Sequence, residues 1–185
     1  MSFLEKIVCL INERFETLSF ARKMVYGISM PVKRTKENGF DVVPMVLDNE
    51  WKYVGVDDNQ DLIIYHKLYG DTESIVPNSS YGDVRGLTRC VNEMSVVVFG
   101  NKLLLSPYAL KQKISEYLLT TVTKQTLTEL GLNSVNINAT TSNMDMQSVW
   151  ANEYKGIEYP LDENNILFEL KYRIETVYKK ECQPC

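Results

Sequence analysis

Four groups of residues in this chain are of types that do chemistry. Cys182-x-x-Cys185 has the spacing of half a zinc site or of a redox pair. A structural zinc needs two further ligands, and only Cys9, Cys90 and His66 remain to supply them, each inside a stretch patterned as helix or strand. A redox pair opens a helix, and no helical pattern follows here. Residues 181–185 therefore read as a flexible tail. Asp57-x-Asn59-x-Asp61 resembles the opening of a calcium loop. Leu62, however, stands where that loop requires glycine, and Leu68 where it requires a bidentate glutamate, so turn chemistry is the better reading.

His66 is the only histidine and lies in the strand-like run Ile63-Ile64-Tyr65-His66-Lys67-Leu68. No serine or cysteine nucleophile stands in a recognisable turn motif to pair with it, which favours a structural role. Glu169, Lys171, Arg173 and Glu175 occupy alternate positions near the end of the chain. Their mixed signs suit cross-strand ion pairs on a wet face, or contact with a neighbouring subunit, better than paired-carboxylate catalysis. Gly82, Gly86 and Gly100 match no phosphate-binding spacing. No catalytic constellation emerges, so the chain is expected not to be an enzyme, and no cofactor or metal is expected.

The bulk properties bound the fold. With 185 residues, 44% hydrophobic and 24% charged, the chain is expected to form one α+β domain over residues 1–180 with a sizeable core. A net charge of −4 disfavours a general nucleic-acid surface. No apolar run approaches the roughly 20 residues of a membrane helix, and Ser2 and Glu5 do not resemble a signal peptide. A cytoplasmic protein is the simplest expectation, with Cys9 and Cys90 as small core hydrophobes.

The elements that must position these residues follow from periodicity. Ser2 and Glu5 form a capping-box pattern, and Leu4, Ile7, Val8, Ile11, Phe15 and Leu18 recur at helical spacing, predicting a helix that runs on toward Gly27 and Pro31. Phe40 to Leu47 is strand-like. Trp51–Val56 and Leu62–Leu68, separated by Asp57-Asp58-Asn59-Gln60, predict a β-hairpin. Residues 70–86 are rich in Gly, Pro, Asn and Ser and predict a long loop, with Tyr81 and Arg85 as its candidate contact residues. Leu87–Phe99 alternates as a strand and becomes apolar on both faces at its end. Ser106-Pro107 opens a helix to about residue 119, with Leu105 and Leu110 placed as a staple and Leu110, Ile114, Tyr117 and Leu118 as its buried stripe. A helical extension ends at Gly131, a short strand follows at residues 134–139 with Val135 and Ile137 inward, and residues 144–154 could form a short helix.

Asn165–Lys179 is a long amphipathic strand: Phe168, Leu170, Tyr172, Ile174, Thr176 and Tyr178 fall on one side, the four charged residues on the other. It is expected to pair with Arg89–Phe99 in a mixed or antiparallel sheet, with two main helices covering its apolar face. Lys171 and Arg173 on its polar face are the second pair of candidate interaction residues.

This order of elements resembles that of the tail-terminator and tail-completion proteins of tailed bacteriophages, and of related neck proteins. There, a strand similar to residues 90–99 feeds a helix across a short turn, and a final strand similar to residues 168–178 returns beside it. The resemblance implies a non-enzymatic virion protein, assembled in the host cytoplasm as a homo-oligomeric ring at the head–tail junction. Its partners would be neighbouring neck, portal-proximal or tail proteins, with DNA passing through the lumen without specific binding and no membrane involved. Two other readings stay open: a small α+β enzyme or ligand-binding domain using His66, and a peptide-binding adaptor acting by strand addition, suggested by the long one-sided terminal strand.

Overall fold

The computed structural model describes residues 2–28, 45–47, 53–55, 61–75, 87–101, 104, 106–143, 149 and 165–179. Helix α1 spans Phe3–Glu16. The expected capping box closes it: Ser2 Oγ accepts from the Glu5 amide at 3.2 Å, while Glu5 accepts from the Ser2 amide at 2.6 Å. Ile7, Val8, Ile11 and Phe15 are its buried stripe. Cys9 points away from that stripe and is exposed, contrary to its expected place in the core.

The helix stops earlier than its pattern predicts. Thr17 caps it by donating its amide and hydroxyl back to the last turn, and the Lys23 ammonium donates to the carbonyls of Glu16 and Leu18. Lys23–Ile28 is not helix but strand β1. Arg22 and Asp61 fix its course. The Arg22 carbonyl accepts from the Asp61 amide at 2.8 Å, and its guanidinium binds the Asp61 carboxylate at 2.8 Å. This starts β1 parallel to strand β4, Leu62–Ile75, with Lys23 opposite Leu62. Met24, Val25 and Tyr26 suit a strand, so docking on β4 overrides the helical periodicity.

The predicted hairpin is also re-partnered. Strand β2, Met45–Leu47, pairs antiparallel with β3, Tyr53–Gly55, in a separate two-stranded sheet. The turn-type residues Asp48-Asn49 lie between β2 and β3 in sequence. Strand β4 instead runs to Ile75, taking the first six residues of the expected 70–86 loop, and pairs with β5, Leu87–Asn101. Residues 76–86, including Tyr81 and Arg85, lie outside the described residues, as do 40–44, 57–60, Leu105, 180–185 and all of 144–154 except Val149, which is buried.

Helix α2, Pro107–Thr120, begins as expected with Ser106 at the cap and Pro107 in the first turn, although the Ser106 hydroxyl makes no capping bond. Helix α3, Lys124–Leu130, closes on Gly131, whose φ of 67° is a left-handed conformation that side chains resist. Strand β6, Ser134–Asn143, then pairs antiparallel with β7, Asn165–Lys179.

The sheet has five strands in the order β1-β4-β5-β7-β6, parallel between β1 and β4 and antiparallel elsewhere. The predicted union of β5 and β7 is unbroken: every residue from Leu87 to Asn101 has a partner from Lys179 to Asn165. Helices α1 and α2 pack on the face presented by Ile64, Val96, Val98, Phe168, Leu170 and Ile174, which forms one apolar core with them. Tyr117 ties the two helices together, its hydroxyl 3.1 Å from Thr17 Oγ1. The mixed-sheet α+β class and the placement of its helices are as the sequence predicts.

Candidate functional site

The register carries the charged residues of β7 onto the sheet face opposite the helices. Arg173 lies directly across from Glu93 and binds it at 2.6 Å. Two residues along β7, Glu175 is gripped diagonally by Arg89 through both Nε and a terminal nitrogen at 2.7 Å. That fork geometry and the Arg89 charge hold the Glu175 carboxyl below the usual carboxylate range. Both pairs are partly exposed, so this half of the face is wet, as its alternating charges predict.

The other half of the same face is not wet. Ile63, Tyr65, Val97, Phe99 and Leu167 are buried there, and among them lies a polar cluster that the sequence pattern assigns to solvent. The Glu169 side chain is only 5% exposed. Its carboxylate accepts from Ser95 Oγ at 2.7 Å and from the Tyr69 hydroxyl, and stands 3.5 Å from the buried Lys67 ammonium. The Lys67 and Lys171 ammoniums flank the Tyr69 ring, 5.4 and 5.5 Å from its centroid. Glu169 is thus a satisfied internal anion rather than an outward charge. The signal that could reveal it is the register. With Lys67 opposite Ser95 and Ser95 opposite Lys171, the carboxylate at position 169 falls diagonally among them.

Of the predicted interaction residues, Lys171 and Arg173 therefore share one face, two residues apart, with Lys171 at the border of the buried cluster and Arg173 in the exposed ion pairs. Sequence reasoning missed Lys67, Tyr69, Arg89 and Glu93 as their companions, because single-strand alternation does not tell which strands are neighbours.

His66 sits on the helix-covered face and is wholly buried. Its Nδ1 is 2.6 Å from the Tyr172 hydroxyl, its Nε2 is 2.8 Å from Asn12 Oδ1, and Asn12 Nδ2 donates to the Tyr26 carbonyl at 3.1 Å. Because the Asn12 oxygen can only accept, Nε2 carries the proton, and Nδ1 accepts from Tyr172. Phe15 stacks on the ring at 5.9 Å. Burial pushes the imidazole down to about 3 and pushes the Tyr172 phenol up. This is a neutral hydrogen-bonded strut between α1, β1, β4 and β7.

An open groove of ≈ 570 Å³ lies at the start of α1, between its first turn and the helix-side face of β4, β5 and β7. Asp71, Cys90, Asn92, Thr176 and Tyr178 line it. Burial and the nearby Asp71 and Glu73 charges raise the Cys90 thiol, and its contact with Asn92 is a weak 3.5 Å bond. A thiol so placed stays protonated and is a poor nucleophile. The Tyr178 hydroxyl, pushed up to about 12 by burial and by Glu73, donates to the Glu73 carboxylate. Among the described residues no group of three or more His, Cys, Asp or Glu side chains could hold a metal ion, and no helix is long and apolar enough to cross a membrane. No family model matches the chain, and no curated protein matches it.

Proposed function

We propose that this chain is a non-catalytic assembly protein, a subunit of a ring at the head–tail junction of a tailed bacteriophage. One observation carries the reading beyond element order: β5 is followed in the chain by helix α2, and β7 returns beside β5 along its full length. This is the arrangement on which the resemblance rests. In a ring, the half-exposed ion pairs Arg173–Glu93 and Arg89–Glu175 meet a neighbouring copy, and neck, portal-proximal or tail proteins stack above and below. A net charge of −4 lets DNA pass the lumen without being held.

His66, the residue named for an enzyme reading, is a buried hydrogen-bonded strut. β7 lies between β5 and β6 in the sheet, so strand addition would fall to an outer strand. The test is electron microscopy and light scattering on the purified chain, with co-purification against neck and tail proteins. Closed rings, or capture by those partners, are expected. A chain that stays monomeric and binds no virion component would overturn the reading.

A further inference from the structure

Strand β6 is an outer strand of the sheet, and among the described residues nothing pairs with its far side. Exposed edges are ordinarily blunted by charge, proline or short length. β6 has none of these: its ten residues, SVNINATTSN, hold no charge, no proline and no glycine. The opposite edge strand, β1, is shorter, opens on Lys23 and shifts register between Val25 and Ile28. Along β6 a bulge falls between Ala139 and Thr141, so the regular stretch is Ser134–Ala139.

Within that stretch the side chains repeat in reverse about Ile137. Asn136 and Asn138 flank it on the sheet's far face, and Val135 and Ala139 lie outside them on the helix face with Ile137 itself. Val135 and Ile137 are only partly covered by the core, and Asn136, Asn138 and Ala139 are exposed. An antiparallel strand of the same sequence, centred on Ile137, sets Ile137 against Ile137, Val135 against Ala139, and Asn136 against Asn138. Apolar then meets apolar and amide meets amide at every position, with no like charges brought together.

We infer that β6 is a two-fold self-pairing edge: it joins a second copy of this chain, antiparallel about Ile137, into one sheet continuous across both molecules. The occupant is a second copy rather than a foreign peptide because the side-chain order is its own complement, as an isologous contact requires. The bulge after Ala139 stops the pairing there. A contact this short lies below the roughly 1,200 Å² of standard interfaces, so the dimer is weak and concentration-dependent. It is independent of the ring reading, which closes on the charged face of β7.

The exposed pair Asn136 and Asn138 gives a register-specific test by sedimentation of the full chain at concentrations up to about 1 mM. Wild type is expected to form dimers. Asn136→Lys with Asn138→Lys sets like charges opposite each other twice, and should weaken dimerisation about tenfold. Asn136→Lys with Asn138→Glu sets opposite charges across the axis, and should dimerise at least as well as wild type, more tightly at low salt. Unchanged thermal midpoints show that both variants fold. A wild type monomeric throughout overturns the inference, as do two variants that behave alike. Rings without any dimer that distinguishes the two variants overturn this pairing and leave the ring reading standing; dimers that form no rings and capture no virion component do the reverse.

Discussion

The His66 strut has a consequence that can be measured in solution. Folded, its imidazole titrates at about 3; its ordinary value is 6.5. Between those values the unfolded chain binds the extra proton, so stability falls as pH falls, by about 1.4 kcal/mol per pH unit. Above about pH 6.5 the contribution is complete. Urea midpoints between about pH 7.5 and pH 4.5 should show this slope, and His66→Gln should flatten it while lowering stability at neutral pH. A slope equal in both proteins would show that another group carries it. Asp61 and Glu175, held below the usual carboxylate range by Arg22 and Arg89 respectively, begin to lose their contributions only near their ordinary values of 3.8 and 4.5, at the acid edge of that window or below it. The buried Glu169 predicts a second effect. Glu169→Gln removes the buried carboxylate beside the Lys67 ammonium and should cost roughly 3 kcal/mol in urea denaturation. Glu169→Leu with Lys67→Met removes both charges and should cost clearly less than Glu169→Gln alone. Nothing in a single strand's alternation distinguishes Glu169 from Arg173. Their fates differ because one end of the sheet's far face is buried and the other is wet.

Elements were legible where one physical signal dominated. The stripe of α1, the two-sided apolar end of β5 and the long alternation of β7 each report burial directly, and each matches the structure. Misreadings arose where partner choice decides. Lys23–Ile28 falls in the stretch toward Gly27 and Pro31 over which the first helix is expected to run, yet the Arg22–Asp61 pair and the open edge of β4 make it a strand. Tyr53–Gly55 has turn-type residues on both sides in sequence and pairs with the strand before it. Such choices are long-range and leave no local trace. Glycine at the end of α3 is the contrary case, a backbone requirement written in one residue. The space around Gly131 is open, so Gly131→Ala meets no clash and tests the left-handed φ alone. It should lower the thermal midpoint by an amount equivalent to about 1 kcal/mol, and Gly131→Asn by less. Equal losses from both would mean that φ is not the constraint.

Across the whole molecule, the two faces of the sheet divide the work. The helix side holds the continuous core, and the far side passes from a buried end around Glu169 to the open ion pairs at Arg173–Glu93 and Arg89–Glu175. Exposed pairs of this kind contribute little to a monomer, roughly 1 kcal/mol or less. In an assembly that buries them, the same charges govern partner choice, because a like-charge contact there is expensive. Arg173→Glu separates the two situations, since position 173 lies directly across from Glu93. In the isolated chain the substitution should cost about 1 kcal/mol by urea denaturation, a loss that added salt softens. If a neighbouring copy closes on this face, the same variant should abolish rings while its monomer remains folded. Glu93→Arg combined with Arg173→Glu restores the pair in reverse and should return monomer stability but not assembly, because the neighbour still meets the exchanged charges. Rings of Arg173→Glu indistinguishable from wild type would return this face to solvent and move the interface elsewhere on the fold.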